Sequence, residues 1–139
     1  MIRIPKDFYN RIVEAAKDGR PEEICGLLGG TVSGDEKTAK EIYFLENIDH
    51  SNEHFSMNPK EQLAAIKDMR SKGLVQLGNF HSHPESPSRP SEEDKRLAFD
   101  KTASYLILSL MDVYNPVLKS FRIVDGVSAE ERLIIEGEE

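Results

Sequence analysis

The chain has 139 residues, the size of one domain, and folding at that length buries roughly 70% of the surface an extended chain exposes. Apolar residues make up 38% with no Trp, so the core must rest on Leu, Ile, Val and Phe. The 25 acidic residues against 18 basic ones give a net charge of −7, which excludes the basic footprint of a nucleic-acid binder and disfavours an anionic membrane surface as partner.

Pro5 to Lys17 is predicted as a helix, because Phe8, Ile12 and Ala16 recur every four residues, and Gly19 ends it. Ile24 to Val32 is an apolar, Gly-rich run that reads as a buried strand. Ser33-Gly34-Asp35 makes a turn, and Lys40 to Leu45 returns as its partner. Asp49 to Met57 is polar loop. Asn58 then offers an N-cap and Pro59 a first helical position, opening a helix that carries Leu63, Ile66 and Met69 and stops at Gly73. Leu74 to Phe80 reads as a strand. Ser91 to Thr102 reads as a helix opened by the capping pattern Ser91-x-x-Asp94. Tyr105 to Met111, Leu118 to Val124 and Arg132 to Ile135 follow as strands, and Glu136 to Glu139 reads as an acidic tail. Helices interspersed among strands predict an α/β fold, a mixed sheet with helices on its faces, formed by residues 1–139 as one unit.

The N-terminus lacks the apolar core of a signal peptide. The longest strongly apolar stretch, Tyr105 to Met111, is too short to span a bilayer. With a single thiol, Cys25, this suits a reducing cytoplasm. One Cys also excludes an internal disulfide and a Cys-rich zinc site. Any metal site must draw on carboxylates and the four His: His50, His54, His81 and His83.

The chemistry concentrates in Phe80-His81-Ser82-His83-Pro84, followed by Ser91 and Asp94. His81 and His83 lie two apart at the end of a predicted strand, where side chains at that spacing point the same way. Asp94 falls in the first turn of the next predicted helix, across a loop stiffened by Pro84, Pro87 and Pro90. Two imidazoles and a carboxylate leave a fourth tetrahedral position for water, the open pattern of a catalytic zinc. Ser91 and Asp94 taken alone are a capping box, and a His pair taken alone is ordinary. The four types at set offsets arise by chance in roughly one in several thousand chains, given usage of about 2–7% per residue type. A zinc hydrolase also needs a general base. Glu23, at the lip of a buried strand, and its neighbour Glu22 are both candidates, and spacing does not choose between them.

Two decoys accompany this set. His50-Ser51-Asn52-Glu53-His54 matches H-x-x-E-H, but that pattern works only on a helix, and this segment is built of turn and cap formers. His50 and His54 are therefore expected in a loop lining the approach to a cleft. Cys25, within Ile24-Cys25-Gly26-Leu27, is expected to be a small buried side chain rather than a nucleophile.

Glu23-Ile24-Cys25-Gly26-Leu27-Leu28, with His81-Ser82-His83-Pro84 and Ser91-x-x-Asp94, resembles the JAMM motif of MPN-domain (Mov34-type) metalloproteases over nearly the whole chain. The resemblance implies a cytidine-deaminase-like fold, a curved mixed sheet flanked by helices. It implies zinc on His81, His83 and Asp94, with Glu23 rather than Glu22 as the catalytic acid. Ser91 is implied as the serine that supports the bound water and the developing oxyanion. The short chain is similar to free-standing prokaryotic members, which implies a metallopeptidase or isopeptidase acting on the C-terminus of a ubiquitin-like sulfur-carrier protein. The alternatives are a zinc hydrolase of the same fold acting on a small molecule, and a non-catalytic MPN interaction scaffold. Neither the substrate nor the oligomeric state is expressed in the sequence.

Overall fold

The computed structural model describes residues 1–137. Its elements in chain order are β1 (Ile2–Pro5), α1 (Lys6–Gly19), β2 (Cys25–Ser33), β3 (Glu36–Leu45), α2 (Pro59–Ser71), β4 (Val75–His83), α3 (Glu92–Arg96), β5 (Ser104–Ser109), β6 (Val117–Val124), β7 (Val127–Glu131) and β8 (Leu133–Glu136). The strands form one curved sheet in the order β7-β6-β5-β4-β2-β3-β1-β8. It is mixed: β4 runs parallel to β5, and β1 runs parallel to β3 and β8, while the other pairs are antiparallel. The expected architecture is present.

The two long helices take opposite faces. Helix α1 seats Phe8, Ile12 and Ala16 among Ile2, Ile4, Leu28, Phe80, Leu106 and Leu108. Each large apolar side chain fully buried there stabilises the fold by about 1.5–3 kcal/mol. Helix α2, capped by Asn58 Oδ1 accepting from the Lys60 and Glu61 amides, seats Ala65 and Met69 against Leu27. Strand β5 is buried at every position, as its apolar run predicts. Two central strands come so close that no side chain fits: a Cβ on Gly78 would meet the Ser104 carbonyl oxygen.

Four elements differ from the sequence reading. Strand β1 was not anticipated; Ile2 and Ile4 are buried, and β1 bridges β3 and β8. Strand β3 begins at Glu36 rather than Lys40. Strand β7 is a polar return of β6 through Asp125-Gly126, where both residues have positive φ (53° and 78°), the signature of a tight hairpin. Helix α3 ends at Arg96 rather than Thr102. Beyond it Leu97 and Phe99 are exposed, so no apolar stripe holds further turns, and the Asp100 carboxylate accepts from the Thr102 amide and hydroxyl in a local turn. Of the expected acidic tail, Glu136 ends β8, and Glu138 and Glu139 lie outside the described residues. Among the described residues no helix is long and apolar enough to cross a membrane.

Candidate metal centre and active site

The site forms at the C-terminal end of β4. Antiparallel pairing sets Cys25 opposite His81 and Gly26 opposite Phe80. Continuing that count past the strand end brings Glu23 opposite His83, with the Ser82 amide donating to the Ile24 carbonyl and the Ile24 amide to Ser82 Oγ. His81 and His83 project from one face, as strand geometry requires. The loop after β4 then returns Asp94 to them on the first turn of α3.

Three ligand-type atoms converge. His81 Nε2 lies 3.1 Å from His83 Nε2, and Asp94 Oδ2 lies 3.2 Å from the first and 3.3 Å from the second. All three residues are buried or nearly so, with side-chain exposures of 3%, 6% and 14%. The second contacts around them are informative. His83 Nδ1–H donates to the Pro87 carbonyl at 2.9 Å, which leaves Nε2 as a lone pair facing the other two atoms. The His81 ring stacks on Phe55 at 4.5 Å. Asp94 Oδ2 accepts from the Ser91 amide at 2.9 Å, and Ser91 Oγ accepts from the Asp94 amide at 3.0 Å. The capping box and the metal-type cluster are one construction: the cap fixes the carboxylate that faces the imidazoles.

Electrostatics follow from burial and this packing. Burial pushes His81 below its ordinary value. Burial works the same way on His83, but the Asp94 carboxylate and the Pro87 carbonyl outweigh it and hold the ring above its ordinary value. Burial alone would raise Asp94, yet the bonds from both imidazoles and the Ser91 amide hold it well below the usual carboxylate range. Two imidazole nitrogens and a carboxylate oxygen this close, with His81 Nδ1 buried and unpartnered behind them, suit a shared cation better than one another. Zinc fits the donor set: bonds of about 2.0–2.1 Å at tetrahedral angles place ligand atoms roughly 3.3 Å apart, and these atoms lie 3.1–3.3 Å apart.

Glu23 is 4% exposed, and its Oε1 has no hydrogen-bond partner. Burial raises its carboxyl from 4.5 to about 7, with His83 pulling it down and Asp94 pushing it up. Glu22 is instead exposed and bonded to His50 Nδ1 at 3.1 Å. The structure thus separates the two candidates that spacing left open. It brings Glu23, His81, His83, Ser91 and Asp94 to one place. Residues 49–57 form the expected loop rather than a helix. His54 lines the cleft beside the cluster, whereas His50 does not. Cys25 is buried, donates to the Leu45 carbonyl, and has its thiol pushed up to about 12 by burial and by Glu23.

One organising residue escaped the sequence reading. Asn47 is buried, and its Nδ2 donates to the carbonyls of Glu23 at 3.0 Å and His54 at 3.2 Å. Its Oδ1 accepts from the amides of Asp49 and Ser56 at 3.0 and 3.2 Å. This single amide ties the 49–57 loop to Glu23, a link the Glu23 amide repeats by donating to the Ser51 carbonyl. Nothing in the local sequence distinguishes Asn47 from a turn former.

A mixed α/β sheet with a His-His-Asp cluster at the end of β4, and an unpaired buried carboxylate just before its neighbour β2, is the frame of a hydrolase. The chain belongs to the family described as prokaryotic homologs of the JAB domain, which it matches over residues 5–124. The CysO-cysteine peptidase of Mycobacterium tuberculosis is 32% identical to it over 128 residues, 92% of this chain and 86% of that protein. The desampylase of Haloferax volcanii is 28% identical over 113 residues, 78% of this chain and 80% of that protein. A protein from Desulfitobacterium hafniense solved in solution superposes with a TM-score of 0.91 at 51% identity, covering 99% of this chain and 94% of that one.

Proposed function

We propose that this chain is a zinc-dependent metallopeptidase or isopeptidase that hydrolyses an amide at the C-terminus of a ubiquitin-like, sulfur-carrier type protein in the cytoplasm. The observation that carries the reading is the convergence of His81, His83 and Asp94 beside the unpartnered carboxylate of Glu23. The relatives named as a CysO-cysteine peptidase and a desampylase support the substrate class.

In this reading His81, His83 and Asp94 hold the ion. Zinc, when bound, supplies Lewis acidity and brings a coordinated water to a pKa of about 7. The chain's own residues do the rest. Glu23 accepts the proton of the attacking water at Oε1, the atom left without a partner. A carboxyl raised to about 7 by burial is poised both to take that proton and to return it to the leaving amine. Ser91 Oγ accepts from the Asp94 amide, so its own hydroxyl proton remains to donate to the developing oxyanion. Phe55, stacked on His81, keeps bulk water off that ring.

The test uses a Gly-Gly-ended sulfur-carrier protein carrying a C-terminal amino acid or an isopeptide-linked lysine, followed by intact mass. Zinc-loaded protein is expected to release the carrier, and a chelator to stop it. Hydrolysis that persists in chelator, or none with zinc bound, overturns the reading.

A further inference from the structure

A cavity of about 360 Å³ opens against the cluster, and His81 and Asp94 form one of its walls. The remaining walls are mainly apolar: Phe55 from the 49–57 loop, Ile107 on β5, Ile123 on β6, and Leu97 and Phe99 from the segment after α3. The cavity has a clear origin in the fold. Helix α2 packs over β2, β3 and β4 on its face of the sheet, and the cavity lies beside it, where Leu97 and Phe99 follow the short α3 and where Ile107 of β5 and Ile123 of β6 form the floor. Leu97 and Phe99 at the rim are 48% and 84% exposed. Single exposed apolar residues are commonplace, but these two converge on the same hollow as Phe55, beside a hydrolytic centre. Asn79, two residues before His81 and on the same face of β4, and Gln62 of α2 add two amides to the lining, with His54 and Ser56 at the loop side.

We propose that this cavity is a specificity subsite that takes one large apolar side chain, of Leu, Met or Phe size, from the residue flanking the scissile amide. The inference rests on the peptidase reading above. Its argument is geometric. His81 and Asp94 belong both to the cluster and to the cavity wall, so a residue flanking an amide at the cluster lies next to the cavity. The volume of about 360 Å³ is ample for one large side chain together with the main chain that carries it. Glu93 also lines the cavity, so an acidic side chain is disfavoured relative to an apolar one.

The experiment uses the zinc-loaded full chain and a Gly-Gly-ended ubiquitin-like carrier protein. In one series the carrier is extended past the scissile bond by Gly, Ala, Leu, Phe or Glu; in the other its terminal residue is replaced by the same set. In one of the two series kcat/KM is expected to rise at least about tenfold from Gly to Leu or Phe, mainly through KM, with Glu poorest. Phe99→Ala and Leu97→Ala, both at exposed positions, are expected to collapse that ratio while zinc content stays unchanged. Flat profiles in both series, or a ratio untouched by both substitutions, overturn the subsite and leave the peptidase reading standing. No hydrolysis of any member with zinc bound overturns the peptidase reading, and the subsite with it.

Discussion

Glu23→Gln separates the chemistry of the site from its stability. The carboxyl is buried without a partner for Oε1, and its pKa rises from 4.5 in the unfolded chain to about 7 in the metal-free fold. Between those values the folded protein holds a proton that the unfolded chain has released. Wild-type stability therefore falls as pH rises from 4.5 to 7. A rise from 4.5 to about 7 corresponds to a stability difference of about 3 kcal/mol. Gln fills the same space and does not titrate. Metal-stripped Glu23→Gln is thus expected to match the wild type near pH 4 and to exceed it by roughly 3 kcal/mol at pH 8, while losing hydrolysis at every pH. Urea unfolding of both stripped proteins at pH 4, 6 and 8, with activity measured after zinc is restored, reads both effects. An equal stability difference at all three pH values, or a variant less stable than wild type at pH 8, refutes the unpaired-carboxyl argument; full activity in the variant moves the base elsewhere.

Asn47→Ala removes an amide that makes four hydrogen bonds between Glu23 and the 49–57 loop. It is expected to cost about 2–3 kcal/mol by urea unfolding, since it strands buried partners, and to lower kcat more than it raises KM. Equal stability and activity would show that the loop holds itself. Cys25, buried with its thiol pushed up to about 12, is expected to resist alkylation at pH 8 in the folded protein and to react fully in urea, by intact mass. Rapid native labelling would contradict its buried placement on β2 between β3 and β4.

The metal-type cluster was readable because its two halves are local. A two-residue spacing on a strand aligns His81 and His83, and a capping box fixes Asp94 at a helix start, so short-range rules orient each member of the cluster. Glu23 needed more: spacing does not distinguish it from Glu22, the motif resemblance does, and the physical reason is the register of β2 on β4, a long-range fact. Asn47 and Phe55 were invisible for the same reason, since their partners are distant in sequence or lie across the cleft. Strand β1 escaped because four residues carry too little pattern, and its pairing with both β3 and β8 is what makes it a strand. Strand β7 is polar, yet Asp125-Gly126 was a usable hairpin signal. The overlong α3 came from extending a well-capped start past Arg96, where the side chains no longer bury an apolar face.

The most direct test of the account is a zinc titration of chelator-stripped protein, following hydrolysis of a ubiquitin-like carrier conjugate. The account predicts no activity without metal, recovery that breaks at about one zinc per chain, and neither binding nor recovery in a His83→Ala, Asp94→Asn double variant that still folds. Activity in the stripped protein, or a double variant that takes up zinc and cleaves like the wild type, would contradict it.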